Sequence, residues 1–137
     1  MGNSKVFFDT NILLYLLSED HKKADCSEHL LSKGGVISVQ VLNEFVSVAS
    51  RKLKMNYLEI RDILDSIRSI VTVQAMNVET HDSGLDIAEK YKFSFYDSLI
   101  IASALKAGCD TLYTEDLQHQ QRLEKRLTVV NPFVVAE

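Results

Sequence analysis

The chain has 137 residues, 46% of them hydrophobic and 25% charged, and carries a formal net charge of −4. That length fits one domain able to bury roughly 68% of the surface its unfolded chain exposes, and the composition excludes the disordered and disulfide-rich classes. The negative balance argues against a polyanionic partner, yet four acids gathered in one site would leave fifteen acids against fifteen Lys and Arg, and a cation there would remove most of the objection.

In chain order, Lys5-Val6-Phe7-Phe8 predicts a buried strand over 5–8, cut off by Asp9, with helices over 11–18 and 22–32. Gly34-Gly35 ends the second helix just before a strand over 36–39. The stretch VQVLNEFVSVASRKL predicts a helix over 40–54, in which Glu44 falls at helical spacing from Val41 and Val48 and beside Phe45. A helix over 57–69 and a short strand over 70–74 follow, then helices over 78–90 and 96–107. In the last of these Asp97 shares a face with Ile100, Ile101 and Ala104. After Gly108, strands over 111–113 and 127–130 complete the set, the first running out into Thr114-Glu115-Asp116. Strands separated by helices predict parallel crossover units and a three-layer α/β/α sandwich. One proline, five glycines and no low-complexity tract make the chain a single unit over 1–137.

Four acids stand in awkward places. Open parallel sheets bind ligands beyond the carboxyl ends of their strands, where Asp9 and Asp116 both emerge. Asp97 and Glu44 interrupt apolar helix faces, where an unpaired carboxylate is costly. Each has a plain alternative: Asp9 and Asp116 as helix caps, Asp97 favoured by a helix N-terminus, Glu44 at the edge of its stripe. Convergence in one cleft explains all four together. Several carboxylates there cannot stay ionised without a counter-charge. An all-oxygen ligand set favours Mg²⁺ or Mn²⁺, and with water and substrate phosphate it outlines a phosphodiester-cleaving site.

The ordered segments FFDTNILLYLL, NEF, FYDSLIIASALKAGCDTLYTEDLQ and VNPF resemble the PIN domain family, particularly the VapC-like toxins of bacterial toxin–antitoxin pairs. The resemblance covers nearly the whole chain. It implies a small, mainly parallel sheet flanked by helices and an Mg²⁺- or Mn²⁺-dependent endoribonuclease acting on single-stranded or loop RNA, leaving 5′-phosphate and 3′-hydroxyl ends. The family's acidic quartet falls on Asp9, Glu44, Asp97 and Asp116 as catalytic residues and metal ligands, with Asn11 and Thr114 at its supporting polar positions. A small antitoxin and a homodimer are the partners it implies. Close relatives often carry glycine after the EDLQH stretch, where Gln120 and Gln121 stand here, so that loop is expected to differ. Housekeeping PIN nucleases that are not toxins share the quartet.

Two other functions compete. A phosphatase with Asp9 as covalent nucleophile is the first; the haloacid-dehalogenase pattern has a second aspartate two residues on, and the chain has Asn11 there. A non-catalytic PIN-like module would use the acidic pocket to receive a partner's arginine. Of the four histidines only His119, three residues past Asp116, stands where it could approach the site. The basic run of Arg51, Lys52 and Lys54 reads either as a solvated helix end or as an RNA-phosphate contact at the cleft rim, with Lys22, Lys23, Lys90 and Lys92 as weaker candidates. The apolar Leu13-Leu14-Tyr15-Leu16-Leu17 exceeds one buried stripe, which fits either a dimer face or a fully buried helix. Cys26 and Cys109 lack metal-motif spacing and read as small buried thiols in a reducing compartment. With no membrane-length apolar stretch and no signal-peptide pattern, the expected location is cytoplasmic.

Overall fold

The structure, a computed structural model, describes residues 4–134. β1 (Val6–Phe8) passes through Asp9 straight into α1 (Thr10–Leu14), which tightens into a 3-10 turn over Tyr15–Leu17. α2 (His21–Ser32) leads to β2 (Val36–Ser38), and β2 runs without a loop into α3 (Val39–Arg51), capped by the Ser38 hydroxyl. α4 (Tyr57–Arg68) opens on a capping box of Asn56 and Glu59 and precedes β3 (Thr72–Gln74). α5 (Val78–Tyr91) and α6 (Phe95–Lys106) form a helical pair before β4 (Thr111–Tyr113), and β5 (Arg122–Leu123) and β6 (Leu127–Val130) close the chain as a hairpin.

The six strands lie in the order β3-β2-β1-β4-β6-β5, every neighbouring pair parallel except β5 with β6. The chain moves one way across the sheet from β1 to β3 and then returns past β1 to β4. Right-handed crossovers therefore set the α5–α6 pair on the face opposite the helices that follow β1 and β2. The packing agrees: α5 lies on α6, while α3 lies on both α1 and α4. Between the layers Phe7, Phe8, Ile12, Ile37, Phe45, Ile101 and Leu112 are fully buried. α6 is buried all round from Ser98 to Ala104, the pattern of a central helix.

The predicted α/β class with a mainly parallel sheet is the one observed, and most predicted elements lie within two residues of their observed bounds. Four details differ. The predicted helix over 11–18 is an α-helix only to Leu14, and its last turn tightens to 3-10 geometry, as helix ends often do. α3 stops at Arg51 rather than 54, with Lys54 in a left-handed conformation at φ 57°. β5 was not predicted, because its hairpin turns through Glu124 and Lys125, both at positive φ, in place of the Asn-Gly or Asp-Gly such turns prefer. Finally, Gln120 takes φ 71° in the loop after the EDLQH stretch, a conformation that glycine adopts more readily. Its N–H donates to the Val129 carbonyl at 2.8 Å, and Gln121 accepts from the Val129 N–H at 2.8 Å. Pairing with β6 thus holds the backbone where glycine would otherwise make it easy.

Both cysteines are free thiols, and burial pushes Cys109 up to about 11, leaving it protonated and unreactive. Of Leu13 to Leu17 only Leu13 is buried; the other four are half-buried, so the segment is neither a free face nor a fully covered helix. No helix among the described residues is long and apolar enough to cross a membrane.

Candidate functional site

β1 and β4 are neighbours, and the connections that leave them go to opposite sides of the sheet, which opens a crevice beyond their carboxyl ends. Asp9 follows β1 directly, its N–H bonded to the carbonyl of Tyr113 at the end of β4. Asp116 stands three residues beyond that same strand end, in the segment the sequence predicted. α6 enters from above with Asp97 in its first turn, where the Ser94 hydroxyl caps the Asp97 N–H at 3.1 Å. Carboxylate oxygens of Asp9, Asp97 and Asp116 lie within 4.8 Å of one another. They line a cleft of about 350 Å³, whose long wall is the α3 stripe of Gln40, Glu44, Val48 and Arg51.

Polar neighbours hold each acid in place. The Thr114 hydroxyl donates to Asp9 Oδ2 at 2.8 Å while the Thr10 N–H donates to Oδ1 at 2.7 Å, so both Asp9 oxygens are engaged. The Thr114 oxygen in turn accepts from the Asp116 N–H at 3.1 Å and the Asn11 amide at 3.3 Å. Asn11 also donates to Asp116 Oδ2 at 3.0 Å. Glu44 is fixed separately: Thr10 Oγ1 donates to its Oε1 at 2.6 Å, and Gln40 Nε2 to its Oε2 at 3.3 Å. Behind Asp116, Tyr15 donates its hydroxyl proton to Glu115 at 2.7 Å, with Lys23 closing the group at 3.2 Å from Tyr15 and 3.8 Å from Glu115.

The electrostatics follow from crowding and depth. Asp9 is only 6% exposed, and burial lifts its pKa from 3.8 to about 7 against the opposing Thr114 and Thr10 hydrogen bonds, with the charges of Asp116 and Glu44 adding to the rise. Burial likewise pushes the Asp97 carboxyl above its ordinary range, opposed by Ser94 and assisted by Asp116 and Glu44. Such a site holds its full negative charge only beside a cation. The donor set, three carboxylates with no thiolate or imidazole among them, suits a hard divalent ion. Asn11 Oδ1, buried without a hydrogen-bond partner, is a further acceptor that a hydrated ion can serve.

Sequence reasoning singled out Asp9, Glu44, Asp97 and Asp116, and all four line this one cleft. Three carboxylates meet; Glu44 stands apart from that trio on its own hydrogen bonds. Asn11 and Thr114 touch the acids directly. Thr10 and Gln40 were missed. A signal for Gln40 existed, since it lies four residues before Glu44 on one helix face. Of the basic run, Arg51 lines the cleft and Lys52 and Lys54 do not. Lys23 and Lys90 are engaged elsewhere, with Glu115 and Glu124. His119 is no part of the site: its Nδ1 accepts the Asn131 N–H at 3.0 Å and ties the β4 loop to the end of β6.

No curated protein gives a significant sequence match. Solved structures share the fold. VapC20 of Mycobacterium tuberculosis, a sarcin–ricin loop cleaving toxin, is 17% identical with a TM-score of 0.67, over 82% of this chain and 90% of its own. A toxin–antitoxin complex from Klebsiella pneumoniae matches at 21% identity and a TM-score of 0.69, over 96% of this chain and 100% of its own. VapBC2 from Rickettsia felis, bound to a promoter DNA fragment, matches at 20% identity and 0.64, over 90% and 96%. The model of one sequence family, the PIN domain, spans residues 6–125, from the strand that delivers Asp9 to the turn beyond Asp116. By that match, the chain belongs to the PIN domain family.

Proposed function

We propose that the protein is a divalent-metal-dependent endoribonuclease that cleaves single-stranded or loop RNA, and that it is the toxin of a toxin–antitoxin pair. The observation that carries the nuclease is the carboxylate trio, with oxygens within 4.8 Å of one another and a buried member whose pKa is raised. Asp9, Asp97 and Asp116 would hold Mg²⁺ or Mn²⁺. Bound there, the ion supplies a water of lowered pKa and charge to offset that building on the phosphate. Thr114 and the Thr10 N–H fix the orientation of Asp9, and Asn11 fixes Asp116, so the ligands lose little freedom on binding. Glu44, held by Thr10 and Gln40 at the edge of the trio, is placed to orient the attacking water or to assist a second ion. Water attack in line with the 3′ oxygen leaves 5′-phosphate and 3′-hydroxyl ends.

The purified chain should cleave members of a panel of structured and single-stranded RNAs in Mg²⁺ or Mn²⁺ and lose that activity in chelator. Cleavage that persists in chelator removes the metal from the mechanism. A chain that neither cleaves RNA nor binds a divalent ion is the binding module instead.

The toxin assignment rests on the fold neighbours, one named as a toxin, one as a toxin–antitoxin complex and one as VapBC2 bound to promoter DNA. An apolar groove adjoins the cleft, lined by Leu14, Leu17, Val48 and the 46%-exposed Leu53, and suits a small antitoxin or a second copy of this chain. Light scattering of the isolated chain at micromolar concentration should report a homodimer. A strict monomer would reserve the groove for the antitoxin.

A further inference from the structure

The acidic cleft has two ends that the metal chemistry leaves unused. Its α3 wall runs Gln40, Glu44, Ser47/Val48, Arg51, steps of three or four residues that keep one helix face. The eleven steps of 1.5 Å from Gln40 to Arg51 make a trough about 16 Å long with Glu44 partway along. At the Gln40 end sits Tyr96: Gln40 Nε2 donates to the Tyr96 carbonyl at 3.1 Å, and Tyr96 is among the residues that line the cleft. At the other end sits Arg51, the one cation among the lining residues.

Folding accounts for little of Tyr96, and for Arg51 only as a cation in the last turn of α3. Tyr96 is 66% exposed although it stands beside the buried part of α6, and Phe95 braces its ring edge-to-face at 5.9 Å. An aromatic so exposed contributes little to the core. Arg51 is folded back along its helix, Nη2 donating to Ser47 Oγ at 2.7 Å and Nε to the Ser47 carbonyl at 3.3 Å, and no carboxylate pairs with it among the described residues. Both side chains are thus held at the lips of a cleft whose four acids repel a phosphate chain.

We propose that Tyr96 and Arg51 are the two substrate grips of this cleft, Tyr96 stacking on an unpaired base at one end and Arg51 holding a backbone phosphate at the other. This rests on the nuclease reading above and adds to it the two residues that hold the strand, one by an unpaired base and one by a phosphate. A base face offered to an aromatic ring is available in single strands and loops and is withheld in a duplex. Arg51 contributes position and no base choice. Glu44 lies between the two grips along α3, so a strand spanning them passes the acidic site.

The test measures binding in Ca²⁺ rather than cleavage, using the full chain and a short fluorescein-labelled single-stranded RNA carrying 2-aminopurine, alone or annealed into a duplex. Tyr96→Ala should weaken binding by roughly five- to a hundredfold and abolish quenching of 2-aminopurine, while Tyr96→Phe keeps both. Arg51→Ala should lower the slope of log K against log salt by about 0.7, without changing the quenching. The duplex should bind more weakly than the single strand. Each variant should melt with the wild type, since both side chains are exposed. Wild-type affinity in Tyr96→Ala, an equal loss in Tyr96→Phe, equal affinity for duplex, or an unchanged salt slope in Arg51→Ala overturns the proposal and leaves the nuclease standing. A wild-type chain that binds no RNA brings down the nuclease reading and the grips with it.

Discussion

Asp9→Asn should lose RNA cleavage by more than the roughly 10–100-fold that removal of an outer-shell metal partner costs, and should melt at a higher temperature than the wild type in metal-free buffer at pH 8. The stability gain follows from the titration of Asp9. Its carboxyl ionises at 3.8 in the unfolded chain and at about 7 in the folded one. Between those values the folded state keeps a proton that the unfolded state has released, so stability falls as pH rises from about 4 to 7 and stays low above. The whole difference is on the order of 4 kcal/mol. Asparagine removes the ionisation but puts an NH2 donor where one of the two accepting oxygens stood, so either the Thr10 N–H or the Thr114 hydroxyl loses its acceptor; the lost bond costs about 1–2 kcal/mol. Relief of charge wins, by roughly 2 kcal/mol or 5–10 °C. The gain should shrink as pH falls from about 7 towards about 4 and vanish below that, where the wild-type carboxyl becomes neutral in both states. Melting curves at pH 5 and 8, with and without Mg²⁺, check each step. A gain independent of pH contradicts the titration, and a metal-induced stabilisation undiminished in the mutant excludes Asp9 as a ligand.

Gly35→Ala should be the most destabilising small substitution in the sheet. Gly35 leads into β2 at φ 150°, a conformation that residues with a Cβ rarely take, and its carbonyl accepts the Thr72 N–H at 2.9 Å. A methyl there would lie 2.5 Å from Phe8 Cε2, 2.8 Å from Val6 Cγ2 and 3.1 Å from the Val6 carbonyl oxygen. Phe8 cannot swing aside, because its ring is fully buried and stacked at 5.7 Å on Tyr113 of β4. Backbone strain and overpacking together cost about 3–5 kcal/mol, a large part of the 5–15 kcal/mol that holds a typical domain. Because Phe8 precedes Asp9 and Tyr113 precedes Thr114, the displaced strands carry the site with them, and the remaining folded protein should bind metal more weakly. Chemical denaturation measures the first effect. A loss below 1 kcal/mol would mean that β1 and β2 part to admit the methyl.

Much of this was legible in the amino-acid order. Strands of three or four apolar residues alternating with capped helices dictate a parallel sheet, and acids placed where apolar residues belong mark its functional edge. Charge in a buried context is a strong signal because so few side chains tolerate it. What escaped prediction lacks such a signal. The β5–β6 hairpin turns through Glu124 and Lys125, residues that carry no mark of a left-handed turn. Arg51, Lys52 and Lys54 are alike in charge, and it is the helix face, seven residues on from Glu44, that carries Arg51 alone to the cleft while Lys54 lies beyond the end of α3. Thr10 reads as a helix-capping neighbour of Asp9, and its link to Glu44 spans 34 residues that no local pattern connects.

The order of the strands also sets a timetable. Asp9 and Thr114 touch although they lie 105 residues apart, and at about 5–20 residues per second a ribosome needs roughly 5–20 s to make the chain between them. Throughout that interval β1 can pair with β2 but has no neighbour on its other edge, and the cleft has one wall missing. A chain halted before Asp116 possesses neither that acid nor the closed crevice. The carboxylate trio therefore cannot assemble until the segment carrying Thr114 and Asp116 has been made.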